Sequence, residues 1–279
     1  MTAVHNNCLC GSNARNERVR TAQTQRKVGF FTDTTVCIGC KACEVACKQW
    51  NQLPDDGLLF SGMSYDNTVH LGASTWRHVA FVERPMVENT KFSWLLMSDV
   101  CKHCRTAACL DACPTGSIIR TEFDTVFVQP DICNGCGYCV SACPFGVIDR
   151  REDDGRAWKC TLCYDRLDAG MTPACAKACP TESIQFGDID ELRARAADRV
   201  RELHQAGVTD AYLYGDSREA QPGTDGLNAF FLLLDRPEVY NLPPHPVAPR
   251  KTIARSWRSM AAASVALAVT AVVSVLGRK

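Results

Sequence analysis

Four groups of cysteines, each closing with the same C-x3-C step, constrain this chain more than any other feature of its 279 residues. Group one is Cys37, Cys40, Cys43 and Cys47, and group three is Cys133, Cys136, Cys139 and Cys143; both are spaced C-x2-C-x2-C-x3-C. Group two (Cys101, Cys104, Cys109, Cys113) widens the middle gap to four residues, and group four (Cys160, Cys163, Cys175, Cys179) widens it to eleven. Two thiolates separated by two residues can wrap a tight turn around one iron–sulfur cubane while the third reaches another iron corner. The cysteine three residues further on has entered a helix, is turned away, and reaches the other cubane of a pair. Pro114, Pro144 and Pro180 follow the last cysteine in three groups and fix the chain where it leaves the ligand. Gly39, Ala42, Gly135 and Gly137 leave room for backbone N–H groups to approach sulfur.

Two other uses of cysteine fit this spacing poorly. Zinc sites are built from two C-x2-C halves, so a third cysteine after a further two residues is surplus. Disulfides need partners at a set separation and orientation, which thiols this close in sequence do not offer efficiently. All sixteen positions in the groups are cysteine, with no His or Trp substituted. The expected cofactors are therefore four [4Fe–4S] clusters, with no three-iron or Rieske centre. Cys8 and Cys10 form a C-x-C pair that matches no cluster spacing, and read as free thiols in a polar tail.

Spacing leaves the pairing of the groups open. Groups two and three are separated by nineteen residues, which suits a two-cluster ferredoxin module. Groups one and four would then pair by nesting around it. That scheme places one cluster on Cys37, Cys40, Cys43 and Cys179, and a second on Cys160, Cys163, Cys175 and Cys47. The third falls on Cys101, Cys104, Cys109 and Cys143, and the fourth on Cys133, Cys136, Cys139 and Cys113. A competing scheme pairs one with two and three with four.

The formal net charge is zero, so nothing points to a nucleic-acid partner. Residues 1–29 are polar and arginine-bearing, without an apolar core that would serve as a secretory signal, and read as a disordered tail. Segments 79–83 and 125–129 have the content of strands, 188–206 reads as an amphipathic helix capped by Asp188 or Asp190 and stopped by Gly207, and 211–214 and 229–234 read as strands. Residues 242–249, with four prolines, read as a stiff extended linker. It leads to nineteen consecutive uncharged residues at 259–277, a helix of roughly 28 Å and thus close to the thickness of a bilayer core. The expected architecture is α+β. It comprises a tail at 1–29, two ferredoxin-like modules forming a four-cluster domain at 30–187, an extension at 188–249, and a transmembrane helix with basic flanks at 250–279.

The strings CIGCKACEVAC (37–47), CKHCRTAACLDACPTGSI (101–118), DICNGCGYCVSACPFGVI (131–148) and KCTLCYDRL (159–167) closely resemble the four-cluster β subunit of membrane-bound formate dehydrogenases. The stretch FFLLLDRPEVYNLP (230–243) and the terminal apolar run fit the same family. The resemblance implies nested pairing, a catalytic molybdopterin subunit carrying molybdenum or tungsten, and a membrane cytochrome b that exchanges electrons with quinone. It implies a non-catalytic electron-transfer subunit, since no nucleophile–base pair, phosphate loop or molybdopterin domain is recognisable. The cysteine pattern alone is also that of electron-transfer subunits of hydrogenases and sulfur-compound reductases, and a redox sensor is the remaining, non-enzymatic reading. Export in complex with a signal-bearing partner, as the family implies, would place the clusters outside the cytoplasm. Arg250, Lys251, Arg255 and Arg258 before the helix, against Arg278 and Lys279 after it, lean the other way.

Lys41, Lys102 and Lys159 adjoin ligands, and Lys159, immediately before Cys160, is the leading candidate to tune a cluster potential. His103 reads as a hydrogen-bonding or surface residue, and Trp50, Trp94 and Trp158 as core or subunit-contact residues. Ala262, Ala266, Thr270 and Ser274 recur every four residues and form a small-residue stripe suited to packing on another membrane helix.

Overall fold

The computed structural model describes residues 26–55, 57, 60, 62, 65, 67–68, 70–84 and 94–276. Cys8 and Cys10, with nearly all of the segment read as a disordered tail, lie outside the described residues.

Strand β1 (Val28–Asp33) leads through a 3-10 turn into group one and helix α1 (Ala42–Asn51). An antiparallel ribbon follows, β2 (Arg77–Glu83) with β3 (Trp94–Val100), in register from Arg77↔Val100 to Glu83↔Trp94. Group two carries the short α2 (Ala108–Asp111); β4 (Ile118–Arg120) and β5 (Val126–Val128) then lead into group three with α3 (Tyr138–Ala142). The pair β6 (Asp149–Arg150) and β7 (Ala157–Trp158) leads to group four, which carries α4 (Tyr164–Asp168) and α5 (Ala174–Lys177). The chain closes with β8 (Ile184–Asp188), α6 (Ile189–Gln205), β9 (Tyr212–Tyr214), β10 (Ala229–Leu233) and α7 (Pro249–Leu276).

The principal sheet has the order β8-β1-β10-β9, with β1 parallel to β10 and antiparallel to β8. Its centre is apolar on both faces, as buried strands require: all of β1 and β10 is buried, and Phe31 stacks on Phe230 with centroids 5.3 Å apart. Helix α6 covers one face with Ile189, Leu192, Ala196 and Leu203. Asp188 is its cap, accepting from the N–H groups of Asp190 and Glu191, and Gly207 follows its end at positive φ. Gly29 has no room for a side chain, since a Cβ there would lie 2.0 Å from the Asn228 carbonyl oxygen.

Three sequence expectations change. Val28 and Gly29, read as the end of a tail, belong to β1, because the strand's apolar side chains complete the core. The boundary at 187/188 runs through β8, and residues 188–249 supply half of the principal sheet rather than an appended extension. Segment 242–249 is not a free spacer: Leu242 and Ala248 are buried, and Ala248 N–H donates to Gly223 O at 3.0 Å. Helix α7 then runs about 42 Å with its described side chains exposed, long and apolar enough to cross a membrane by length and composition. Its first turn is tied to the rest of the fold by Lys251–Asp225 at 2.5 Å and Arg250–Asp111 at 3.6 Å.

Candidate metal centres

Two antiparallel pairings bring distant cysteine groups together. Strand β1 enters group one and its partner β8 leaves group four, with Val28 opposite Asp188 and Thr32 opposite Ile184. Strand β4 leaves group two and its partner β5 enters group three, with Ile118 opposite Val128.

Within each group the same local geometry recurs. The residue before the second cysteine has positive φ in all four groups: Gly39 (66°), His103 (43°), Gly135 (72°) and Leu162 (58°). This turns the backbone N–H inward, so that Leu162 N–H donates to Cys160 Sγ at 3.3 Å and Gly39 N–H to the Cys37 sulfur. His103 and Leu162 hold a conformation costly for side-chain-bearing residues because burial and packing fix them. His103 also accepts at Nδ1 from Val126 N–H at 3.0 Å, which ties group two to β5. Burial and the neighbouring Lys159 hold its imidazole well below the ordinary histidine range.

Where proline follows the fourth cysteine, the helix stops. Helices α2, α3 and α5 run four or five residues, and the residue after each Pro-Thr or Pro-Phe pair (Gly116, Gly146, Glu182) turns at positive φ, its N–H donating back to the cysteine carbonyl. Group one has Lys48 in that position, and α1 continues to Asn51.

The thiols gather in four sets. Cys37, Cys40, Cys43 and Cys179 line one small cavity walled by Ile38, Val79 and Ile184. Cys101, Cys104, Cys109 and Cys143 line another, walled by Val126, Phe145 and Ile148. Cys47 lies among Cys160, Cys163 and Cys175, and Cys139 among Cys133, Cys113 and Cys136. All sixteen are free, and among the described residues no three His, Cys, Asp or Glu side chains converge on a single ion.

These residues fit a polynuclear iron–sulfur core. Burial raises the Cys43 and Cys163 thiols to about 11 and Cys109 to about 12, and pushes Cys47 and Cys104 well above the ordinary range. Thiols this reluctant to ionise become thiolates only against a cation, so ligation and loss of their protons are linked. The sulfurs also receive hydrogen bonds, as cluster ligands require. Ala157 N–H donates to Cys133 Sγ at 3.4 Å, and Ser117 Oγ lies 3.1 Å from Cys113 Sγ. Burial raises Cys113, but bonds from Ser117, Thr115 and backbone N–H groups together outweigh it and bring the thiol to about 7.

The flanking lysines differ in kind. Lys159 is buried, donates from Nζ to Val126 O and Cys160 O, and lies beside Cys101, Cys109 and Cys160. Burial opposes its charge, yet those thiols outweigh burial and raise its pKa. Lys102 is neutralised by Asp99 at 2.5 Å and sits over Phe145 and Phe231. Lys41 is partly exposed, pairs with Glu44 and lies over Phe81. Trp50 and Trp94 are exposed; Trp50 Nε1 donates to Asp165 at 2.7 Å and its ring is covered by the Arg166 guanidinium. Trp158 stacks with Trp76 and Arg151.

Sequence reasoning missed Arg77 and Ser98. Arg77 is 1 % exposed and donates from Nη2 to Cys175 Sγ at 3.2 Å. Ser98 Oγ lies 3.2 Å from Cys43 Sγ. Arg77 is far from any cysteine in sequence, and Ser98, three residues before Cys101, faces Cys43 of another group 55 residues away; the one available signal was an arginine opening a strand with an apolar centre.

Comparison with known proteins points to the same cofactor class. Two family models, each described as a 4Fe-4S dicluster domain, match residues 36–117 and 92–189. The protein is 39% identical over 224 residues to a formate dehydrogenase iron-sulfur subunit of Haemophilus influenzae, covering 79% of this chain and 70% of the relative. It is 40% identical over 224 residues to the nitrate-inducible formate dehydrogenase iron-sulfur subunit of Escherichia coli, covering 79% and 74%. It is also 36% identical over 170 residues to a component of the anaerobic dimethyl sulfoxide reductase of Escherichia coli, covering 61% and 78%.

Proposed function

Because the chain belongs to the family of formate dehydrogenase iron–sulfur subunits, we propose that it is the electron-transfer subunit of a membrane-bound formate dehydrogenase. Its partners in this reading are a catalytic molybdenum or tungsten subunit and a membrane cytochrome b that serves quinone. The sixteen cysteines hold four [4Fe–4S] clusters in the nested arrangement, and the four thiol sets support that assignment over pairing of adjacent groups. When bound, each cluster supplies a one-electron carrier.

The observation that carries the wire is the succession of sets. Cys43 lies beside Cys175, Cys160 beside Cys101, and Cys109 beside Cys139, so the sets follow one another in a line. The residues of this chain hold the sulfurs, donate hydrogen bonds to them and exclude water with Leu162, Ile148 and Val79. The first turn of α7, tied to Asp111 and Asp225, supports placing the group-two/group-three end nearest the membrane. The cluster domain then lies against the membrane surface, on the extracytoplasmic face if the complex is exported.

A second reading has a specific observation behind it, the similarity to the dimethyl sulfoxide reductase component. The test is the visible absorption of the solubilised native complex before and after anaerobic addition of formate. Rapid bleaching of the iron–sulfur band is expected. A band that bleaches with dithionite and ignores formate would overturn the formate assignment and favour a sulfur-compound substrate.

A further inference from the structure

Arg77 opens β2 and points into the space between groups one and four, where burial of a charge needs a compensating one. Its Nη1 donates to Ser98 O at 3.2 Å and to Ser98 Oγ at 3.4 Å, and Ser98 Oγ in turn lies 3.2 Å from Cys43 Sγ. Its Nη2 donates to Cys175 Sγ at 3.2 Å, and the guanidinium lies 4.9 Å from the Phe30 ring centroid. Among the described residues no carboxylate pairs with it. Lys102, by contrast, has Asp99. The counter-charge available to Arg77 is therefore sulfur: Cys175, Cys43, Cys160 and Cys47 all face it.

Guanidinium does not lose its proton in proteins, and its planar fork serves two acceptors at once. A cubane with four thiolates is anionic, and reduction adds a further negative charge. A fixed cation beside the ligands stabilises the reduced form more than the oxidised form. On the nested assignment proposed above, Cys43 and Cys175 ligate different clusters.

We propose that Arg77 is a positive charge shared by both clusters of the group-one/group-four pair, bonded to Cys175 directly and to Cys43 through Ser98, and that it raises both reduction potentials. The same charge lies between two anionic cores, so it also screens their repulsion and lets one accept an electron while its neighbour is reduced. Lys159 is placed differently: its ammonium donates to Val126 O and Cys160 O and lies beside Cys101 and Cys109 as well as Cys160, so it faces the group-two thiols and one set of this pair rather than both sets of the pair.

The test is a mediator-controlled redox titration of the holo complex, followed by electron paramagnetic resonance, for wild type, Arg77→Gln and Arg77→Lys. With full iron content, Arg77→Gln is expected to lower two of the four potentials. The reduced-to-oxidised ratio of those two falls about tenfold at fixed potential, the equivalent of about 59 mV for a one-electron couple. The two shifted signals should be those altered by Cys179→Ser and Cys47→Ser. Full iron with no potential moved, or with all four moved alike, overturns the proposal. If Arg77→Gln fails to load iron, Arg77→Lys decides. Loading with those two potentials held near their wild-type values supports a charge role, since the charge is kept while the forked contacts are lost; loading with them lowered, or failure of both variants to load, overturns it in favour of packing alone. Mediators set the potential, so a wrong formate assignment leaves the result readable. A wrong pairing shows itself separately, as different signals altered by Cys179→Ser and Cys40→Ser.

Discussion

The group-one/group-four region and the group-two/group-three region use the same cysteine grammar in different surroundings. In the first, Cys43, Cys47, Cys160, Cys163 and Cys175 are buried; in the second, only Cys101 and Cys139 are, and each region has one exposed cysteine, Cys40 and Cys136. The first is closed by the principal sheet through β1 and β8, the second by the three-residue strands β4 and β5. Deep burial disfavours the added negative charge of a reduced cluster, whereas solvent and hydroxyl donors such as Ser117 and Thr115 relieve it. Arg77, with sulfur as its counter-charge, stands where burial is deepest. The comparison teaches that one cysteine spacing can be set in two surroundings, which differ in burial and in the nearest fixed charge.

The largest effect that would break the comparison comes from the ligands themselves. Cys160→Ser, in the buried set beside Cys101, is expected to remove its cluster and destabilise its neighbour, lowering iron content by more than one cluster's share. Cys136→Ser, at an exposed position, should cost one cluster's share or less. Equal losses in iron analysis of the two purified variants would contradict the difference in burial. Backbone fit comes next. Gly29→Ala would force a Cβ against the Asn228 carbonyl in the principal sheet, and should cost about 3 kcal/mol or more. Gly116→Ala, with open space but φ of 67°, should cost about 1 kcal/mol. Thermal unfolding of the holo proteins ranks the two.

Smaller effects concern attachment to the membrane partner. Ala266→Leu combined with Thr270→Leu is expected to release the cytochrome subunit in detergent while leaving the clusters intact, as read by co-purification. An intact complex would reduce α7 to a simple anchor. Smallest is the foot of α7. Hydrogen bonds from Lys251 and Thr106 hold the Asp225 carboxyl below the usual range. A depressed carboxylate contributes stability above its unfolded pKa, near 4, and loses it as pH falls through the lower folded value. Lys251→Ala should therefore cost under about 1 kcal/mol at neutral pH and nothing in strong acid. A pH series of melting temperatures checks the sign.

Much of the candidate site's local geometry was legible because neighbouring residues set it. The C-x2-C turns, the helix carrying the later cysteines and the stop imposed by Pro114, Pro144 and Pro180 follow from neighbouring residues, as does the Asp188 cap of α6. What was not legible depends on long-range pairing. Nothing local shows that β1 lies parallel to β10 with Phe30 opposite Ala229, which is why residues 188–249 read as an extension. Four prolines between 242 and 249 suggest a free spacer, yet the absence of a side chain at Gly223 lets Pro246 and Val247 pack close. Arg77 escaped notice for the same reason: its partners Cys175 and Ser98 are remote in sequence and meet it only in the fold.

The most direct test of the account is which cysteines share a cluster. Electron paramagnetic resonance spectra of the holo complex carrying Cys40→Ser, Cys179→Ser or Cys113→Ser would show it. The nested account predicts that Cys40→Ser and Cys179→Ser alter the same signal while Cys113→Ser alters a different one. If Cys40→Ser and Cys113→Ser altered the same signal instead, adjacent groups would pair and the account would be contradicted.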